Sequence, residues 1–182
     1  QARRQSRRRQ RHCPPPLYAY LRLAFRTIDL EQHLPTSILF CCDHNAVRSP
    51  MAEGLMKKFY GQETYVQSAG VKSDMDVDGF TVAVCEEMGI ELSRHRARSF
   101  DEMEQWGDDL GSFDVIVALS PASQRAALEL TRTHALEVLY WPIMDPTGMG
   151  DQRNEKLEHY RAARDQIIKH MTDNWGAPVV SE

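Results

Sequence analysis

From residue 36 onward, short unbroken apolar runs alternate with stretches whose apolar residues return every three or four positions, the pattern of βαβ units. Ile38-Leu39-Phe40, leading into Cys41-Cys42, has no polar alternation, as expected of a strand covered on both faces. Met51, Leu55 and Phe59 then recur at helical spacing, with Ala52 and Met56 widening the stripe. Ser49 is placed to cap this helix, Pro50 suits its first turn, and Gly61 should end it. Thr64-Tyr65-Val66-Gln67 reads as a second strand, closed by a Ser68-Ala69-Gly70 turn. Val77 through Met88 reads as a helix stopped by Gly89. Phe113–Leu119 predicts another buried strand, and Ser120-Pro121 opens a helix through Leu130. A fourth strand follows at Leu136–Tyr140. The final helix runs from about Asn154 to Met171, with Leu157, Tyr160, Arg164, Ile167, Ile168 and Met171 along one side.

The pattern predicts one three-layer α/β/α domain over residues 36–174, with a four-stranded, mostly parallel, twisted sheet and a short tail at 175–182. Crossovers in such sheets are right-handed, and ligands sit beyond the carboxyl ends of the strands. Composition agrees: 182 residues, 42% hydrophobic and 26% charged, suit one domain with a sizeable core. No apolar run is long enough to span a membrane. Four cysteines, two of them adjacent, do not resemble a secreted disulfide framework, so a reducing, cytoplasmic compartment is expected.

Charge changes the picture at the N-terminus. The net charge of −4 hides eight Arg against Asp29 and Glu31 in residues 1–34, a net of +6 that leaves −10 for the rest. With Pro14-Pro15-Pro16 and no core to bury, residues 1–35 read as a disordered basic extension. An appended or vestigial segment is favoured over a nucleic-acid arm, a membrane arm or an organelle-targeting segment. The acidic domain itself argues against nucleic acid as a partner, and no membrane partner is expected.

Candidate chemistry lies where the first strand meets the first helix. Cys42 and Arg48 are separated by five residues across a turn whose backbone N–H groups and helix dipole converge on a spot of phosphate size. Arg48 can grip two phosphate oxygens with its planar fork. The same positive field favours a thiolate at Cys42, a nucleophile. Ser49 is placed to hydrogen-bond that sulfur and ease its departure. After the fourth strand, Trp141-Pro142-Ile143-Met144-Asp145-Pro146 supplies a carboxyl at a second strand end, in a loop stiffened by proline.

Cys42-Asp43-His44-Asn45-Ala46-Val47-Arg48-Ser49-Pro50-Met51-Ala52-Glu53 resembles the signature of the low-molecular-weight protein tyrosine phosphatases, whose fold is shared with thioredoxin-linked arsenate reductases. The resemblance implies a Cys-dependent phosphomonoesterase acting through a phosphocysteine, with no metal or other cofactor. Its substrate would be a phosphorylated protein or a small phosphomonoester, and phosphate or another oxyanion would bind the loop. It casts Cys42 as nucleophile, Arg48 and the loop Asp43-His44-Asn45-Ala46-Val47 through Ser49 as the phosphate site, and Asp145 as general acid. It also gives Ser68 the task of holding Asn45 in shape.

Three departures stand out. His44 occupies a position that is usually Gly, and Val47 the place of a second loop Cys. Thr147 and Gly148 follow Asp145-Pro146 where aromatic residues usually flank a phosphotyrosine ring, and the loop after Gly70 offers only Met75. An arsenate reductase would need two further relay cysteines, and only Cys85 lies downstream of Cys42. A phosphoarginine phosphatase and a non-catalytic module that binds phosphate or a phosphoprotein would also fit the loop. His95, His134, His159 and His170 show no metal-ligand spacing. The basic residues at 94–98 read as structural, and Asp74, Asp76 and Asp78 as a solvated turn.

Overall fold

The computed structural model of the protein describes residues 34–61 and 63–177. The basic extension expected over 1–35 lies outside the described residues except for Leu34 and Pro35, as does 178–182 of the expected tail.

The apolar run forms β1 (Ser37–Cys42), followed by β2 (Tyr65–Gly70), β3 (Val115–Ala118) and β4 (Glu137–Tyr140). They pair in the order β2-β1-β3-β4, parallel at every step, so the sheet is wholly rather than mostly parallel. Among the described residues five α-helices accompany it: α1 (Arg48–Tyr60), α2 (Gly79–Glu86), α3 (Phe100–Gln105), α4 (Pro121–Leu130) and α5 (Arg153–Trp175). A strand sends neighbouring side chains to opposite faces. Ile38, Phe40 and Cys42 therefore enter a core shared with α1, α2 and α5, while Leu39 and Cys41 enter one shared with α3 and α4. These are the expected three layers, and they put the two adjacent cysteines in different environments. Cys41 is fully buried on the face away from Cys42, and burial pushes its thiol far up.

Several boundaries differ from expectation, each for a local reason. Ser68-Ala69-Gly70 is strand rather than turn, because it pairs in register with Phe40, Cys41 and Cys42. Gly70 is required there: a Cβ would meet the Lys72 carbonyl oxygen at 2.2 Å and the Asn45 nitrogen at 2.8 Å. Helix α2 starts at Gly79, two residues late, because the Asp78 carboxylate caps it, accepting from the N–H groups of Phe80 (2.8 Å) and Thr81 (3.2 Å). The link to β3 contains α3, set by a reciprocal cap between Ser99 and Glu102. Helix α5 continues four residues past Met171, and Trp175 packs its ring 5.1 Å from that of Trp141. No helix among the described residues is long and apolar enough to cross a membrane.

Candidate active site

The turn from β1 into α1 is held by one residue in a rare conformation. Asn45 has φ of 53°, in the left-handed region that Asn tolerates better than most side chains, and it is fully buried. Four hydrogen bonds hold it there. Its Nδ2 donates to Ser49 Oγ (2.9 Å) and Ser68 Oγ (2.8 Å), while its Oδ1 accepts from the Arg98 N–H (3.0 Å) and His95 Nε2 (3.1 Å). Ser68 in turn donates to the buried Glu53, which also receives Lys57. Burial depresses the basicity of His95 against the pull of Glu53, which suits a neutral ring donating through Nε2.

Ser49 is not the cap of α1. Val47 holds the cap position, without a side-chain bond, and the Ser49 hydroxyl is committed inside the loop. It lies 3.0 Å from Cys42 Sγ and 3.1 Å from the Ala69 carbonyl oxygen, either of which its proton can serve.

Arg48, 5% exposed, anchors the far end. Its Nη1 donates to the carbonyls of Ile143 (3.2 Å) and Leu119 (3.4 Å), which follow β4 and β3. Its Nη2 donates to Asp145 Oδ2 at 2.9 Å and to the Asp43 carboxylate. Its Nε is buried with no partner. Cys42, His44, Arg48, Met75, Asp145 and Thr147 face one cavity of about 150 Å³. Burial would raise the pKa of Asp145, but hydrogen bonds from Thr147 and the charges of Arg48 and His44 outweigh it and hold the carboxyl below its usual range. The Cys42 thiol, the Arg48 guanidinium and the Asp145 carboxyl thus line one cavity, the carboxyl coming from about a hundred positions further along the chain.

The family model described as low molecular weight phosphotyrosine protein phosphatase matches residues 37–174. The chain belongs to that family. An arsenate reductase of Halalkalibacterium halodurans is 31% identical over 134 residues, covering 74% of this chain and 91% of its own length. A solved low molecular weight protein tyrosine phosphatase from T. tengcongensis is 26% identical with a TM-score of 0.57, covering 76% of this chain and 99% of its own. An arginine phosphatase from Geobacillus stearothermophilus is 26% identical with a TM-score of 0.56, covering 78% and 91%.

As a low molecular weight phosphatase family member, the chain shows how its departures are accommodated. His44 turns its Nδ1 to Asp74 Oδ1, 2.6 Å away, and leaves its ring at the cavity mouth. Asp74 and Asp78 are therefore not merely solvated: one holds His44, the other caps α2. The Asp43 side chain is spent on Arg48, and Ala46 accepts from the Asp78 N–H at 3.0 Å. Val47 is buried at the cap position. Met75 and Met144 stand exposed, Met75 on the cavity wall. The contacts of Glu53, His95 and Thr147 were not legible in the sequence. Only His95 and Arg98 had a signal, a basic cluster that reads as structural, and both hold Asn45. No group of three or more His, Cys, Asp or Glu among the described residues is placed to hold a metal ion.

Proposed function

We propose that the protein is a Cys-dependent, metal-independent phosphomonoesterase of the protein tyrosine phosphatase type. One observation carries the reading. A buried guanidinium nitrogen with no partner, Arg48 Nε, lies in the loop that begins at Cys42, and a phosphate oxygen is the acceptor it lacks. The uncapped first turn of α1 adds N–H groups aimed at the same anion.

In this reading the Cys42 thiolate attacks phosphorus, the S–P bond forms, and the P–O bond to the leaving group breaks while Asp145 gives that oxygen a proton. Water then attacks the phosphocysteine, Asp145 takes its proton, and the electron pair of the S–P bond returns to sulfur beside the Ser49 hydroxyl. Asp145 begins ionised, held by Thr147 and Arg48. A bound phosphate dianion draws the Arg48 fork to itself and sets negative charge beside the carboxyl. Both effects raise its pKa and fit it to act first as an acid.

The arsenate reductases among the relatives support a second reading, arsenate reduction. A disulfide relay needs a second reachable thiol. Among the described residues the other two cysteines are remote: Cys41 is buried on the opposite face, and Cys85 is buried in α2 with its thiol pushed up to about 12. These facts favour hydrolysis. The test is p-nitrophenyl phosphate turnover by the wild type and Cys42→Ser, beside thioredoxin- and glutaredoxin-coupled arsenate reduction. Hydrolysis that falls by roughly 10⁴ in Cys42→Ser upholds the phosphatase. Phosphate binding without turnover makes the protein a phosphoprotein-binding module, and arsenate-dependent oxidation of the coupled thiols makes it a reductase. A panel of phosphotyrosine, phosphoarginine and phosphoserine peptides then assigns the substrate.

A further inference from the structure

Two loops run side by side at the cavity. The segment after β2 is laced to the phosphate loop by its backbone. The N–H groups of Val71, Lys72 and Asp78 donate to the carbonyls of Cys42 (3.0 Å), Asp43 (2.9 Å) and Ala46 (3.0 Å). Midway along, the link is a pair of side chains, with His44 Nδ1 2.6 Å from Asp74 Oδ1. The bond from His44 holds the Asp74 carboxyl below its usual range, so Asp74 is the ionised acceptor and the ring donates through Nδ1. The ring is thereby fixed although the His44 side chain is 39% exposed. His44 lines the cavity, and so does Met75, the half-exposed neighbour of Asp74. Residues that line a cavity and still meet solvent stand at its mouth. A leaving group bonded to a phosphate on Cys42 and Arg48 must pass them.

We infer that His44 is a specificity-determining residue, whose imidazole presents a fixed flat face beside Met75 that favours an aryl over an alkyl phosphate, and that Asp74 is its positioning residue. The inference rests on the phosphatase reading, in which the cavity floor holds phosphate and the leaving group lies in the mouth. A planar ring gains from packing on another ring beyond the area it covers. A ring already held by a hydrogen bond loses little freedom when substrate arrives, so more of that gain appears as affinity. The Met75 thioether adapts to whatever ring lies beside it. An alkyl group offers no face to stack, and for it the pair is only part of the rim.

The experiment measures by calorimetry, at one pH, the Kd of inorganic phosphate, methylphosphonate and benzylphosphonate. The proteins are the wild type, His44→Ala, His44→Asn, Asp74→Ala and Asp74→Asn, and steady-state hydrolysis of phenyl phosphate is followed beside them. The wild type should bind benzylphosphonate about tenfold tighter than methylphosphonate. His44→Ala should weaken benzylphosphonate about fivefold and leave the other two ligands within about twofold. Its KM for phenyl phosphate should rise to match, at a kcat within about twofold. His44→Asn can donate to Asp74 from the place of Nδ1 but has no ring, so it should bind as His44→Ala does. Asp74→Ala should weaken benzylphosphonate about threefold, and Asp74→Asn, which keeps an acceptor for Nδ1, should restore it. Equal losses for all three ligands in His44→Ala would make the residue a cation for the phosphate. Wild-type binding in His44→Asn would make it a clasp between loops, and an Asp74→Asn protein no better than Asp74→Ala would remove the positioning role. Each of these overturns the inference, as does a wild type with no preference for the benzyl ligand. The binding measurements need no turnover. If the wild type shows no Cys42-dependent hydrolysis, the phosphatase reading falls and this inference with it; unchanged benzylphosphonate binding by His44→Ala in an active enzyme removes this inference alone.

Discussion

The two walls of the cavity are built on different terms. The wall formed by the Cys42–Ser49 loop is contiguous in sequence and anchored from beneath: Asn45, Ser49 and the β2 residue Ser68 have no exposed surface, and both side-chain polar atoms of Asn45 have protein partners. The opposite wall comes from two separate loops and stands open, with Met75 on it 47% exposed. The difference teaches where constraint is needed. Amide groups aimed at a small anion must be fixed before it arrives, because donors that reorganise on binding give up most of their electrostatic advantage. A wall that meets the rest of the substrate has no such requirement, and a methionine adapts to varied shapes.

That contrast can be broken first at Arg48, where the anchored loop meets the open wall. Arg48→Lys keeps the charge but loses the planar fork and the bonds to the Ile143 and Leu119 carbonyls, so kcat/KM for p-nitrophenyl phosphate should fall by roughly 10³. An effect below about tenfold would mean that the loop needs only a positive charge there. Asp145→Asn should lower kcat by roughly 10² on phenyl phosphate and distinctly less on p-nitrophenyl phosphate, whose leaving group hardly needs a proton. Equal losses on the two would assign Asp145 to binding instead.

The same carboxyl sets a pH dependence. Its pKa is held low in the free protein by Thr147 and Arg48, and phosphate dianion should raise it. Because the protonated form is the acid, activity is lost as pH rises through that pKa. The basic limb of kcat should therefore lie at higher pH than the basic limb of kcat/KM, and coincident limbs would remove the link between Arg48 and the acid.

Smaller effects are expected away from the reacting atoms. Asn45→Ala removes the donor to Ser49 and Ser68, leaves His95 Nε2 and the Arg98 N–H without their acceptor and deprives the left-handed turn of its support. Urea unfolding should show a loss of about 2–3 kcal/mol. Met75→Ala, on the open wall, should change KM for a phosphotyrosine peptide by about two- to fivefold and leave stability within about 0.5 kcal/mol. A stability loss at Met75 as large as that at Asn45 would erase the distinction between the walls.

The order of the four strands and of every helix but the short α3, the segregation of Cys41 from Cys42 and the placing of Cys42, Arg48 and Ser49 in one strand-to-helix turn were legible in the sequence, because each depends on local periodicity or contiguous spacing. Period-two alternation alone places neighbouring cysteines on opposite faces, and Cys42, Arg48 and Ser49 lie within one turn. Element edges were less legible. Ser68-Ala69-Gly70 looks like a turn to local chemistry, yet pairing with β1 makes it strand, and Asp78 delays α2 because its carboxylate is the available cap. What only the tertiary structure decided is how remote side chains are spent: His95 and Arg98 on Asn45, Asp74 on His44, and Ser68 on Glu53. A hydrogen bond between groups dozens of residues apart leaves no period in the chain. It exists only once burial has brought the partners together and removed the water that would otherwise satisfy them.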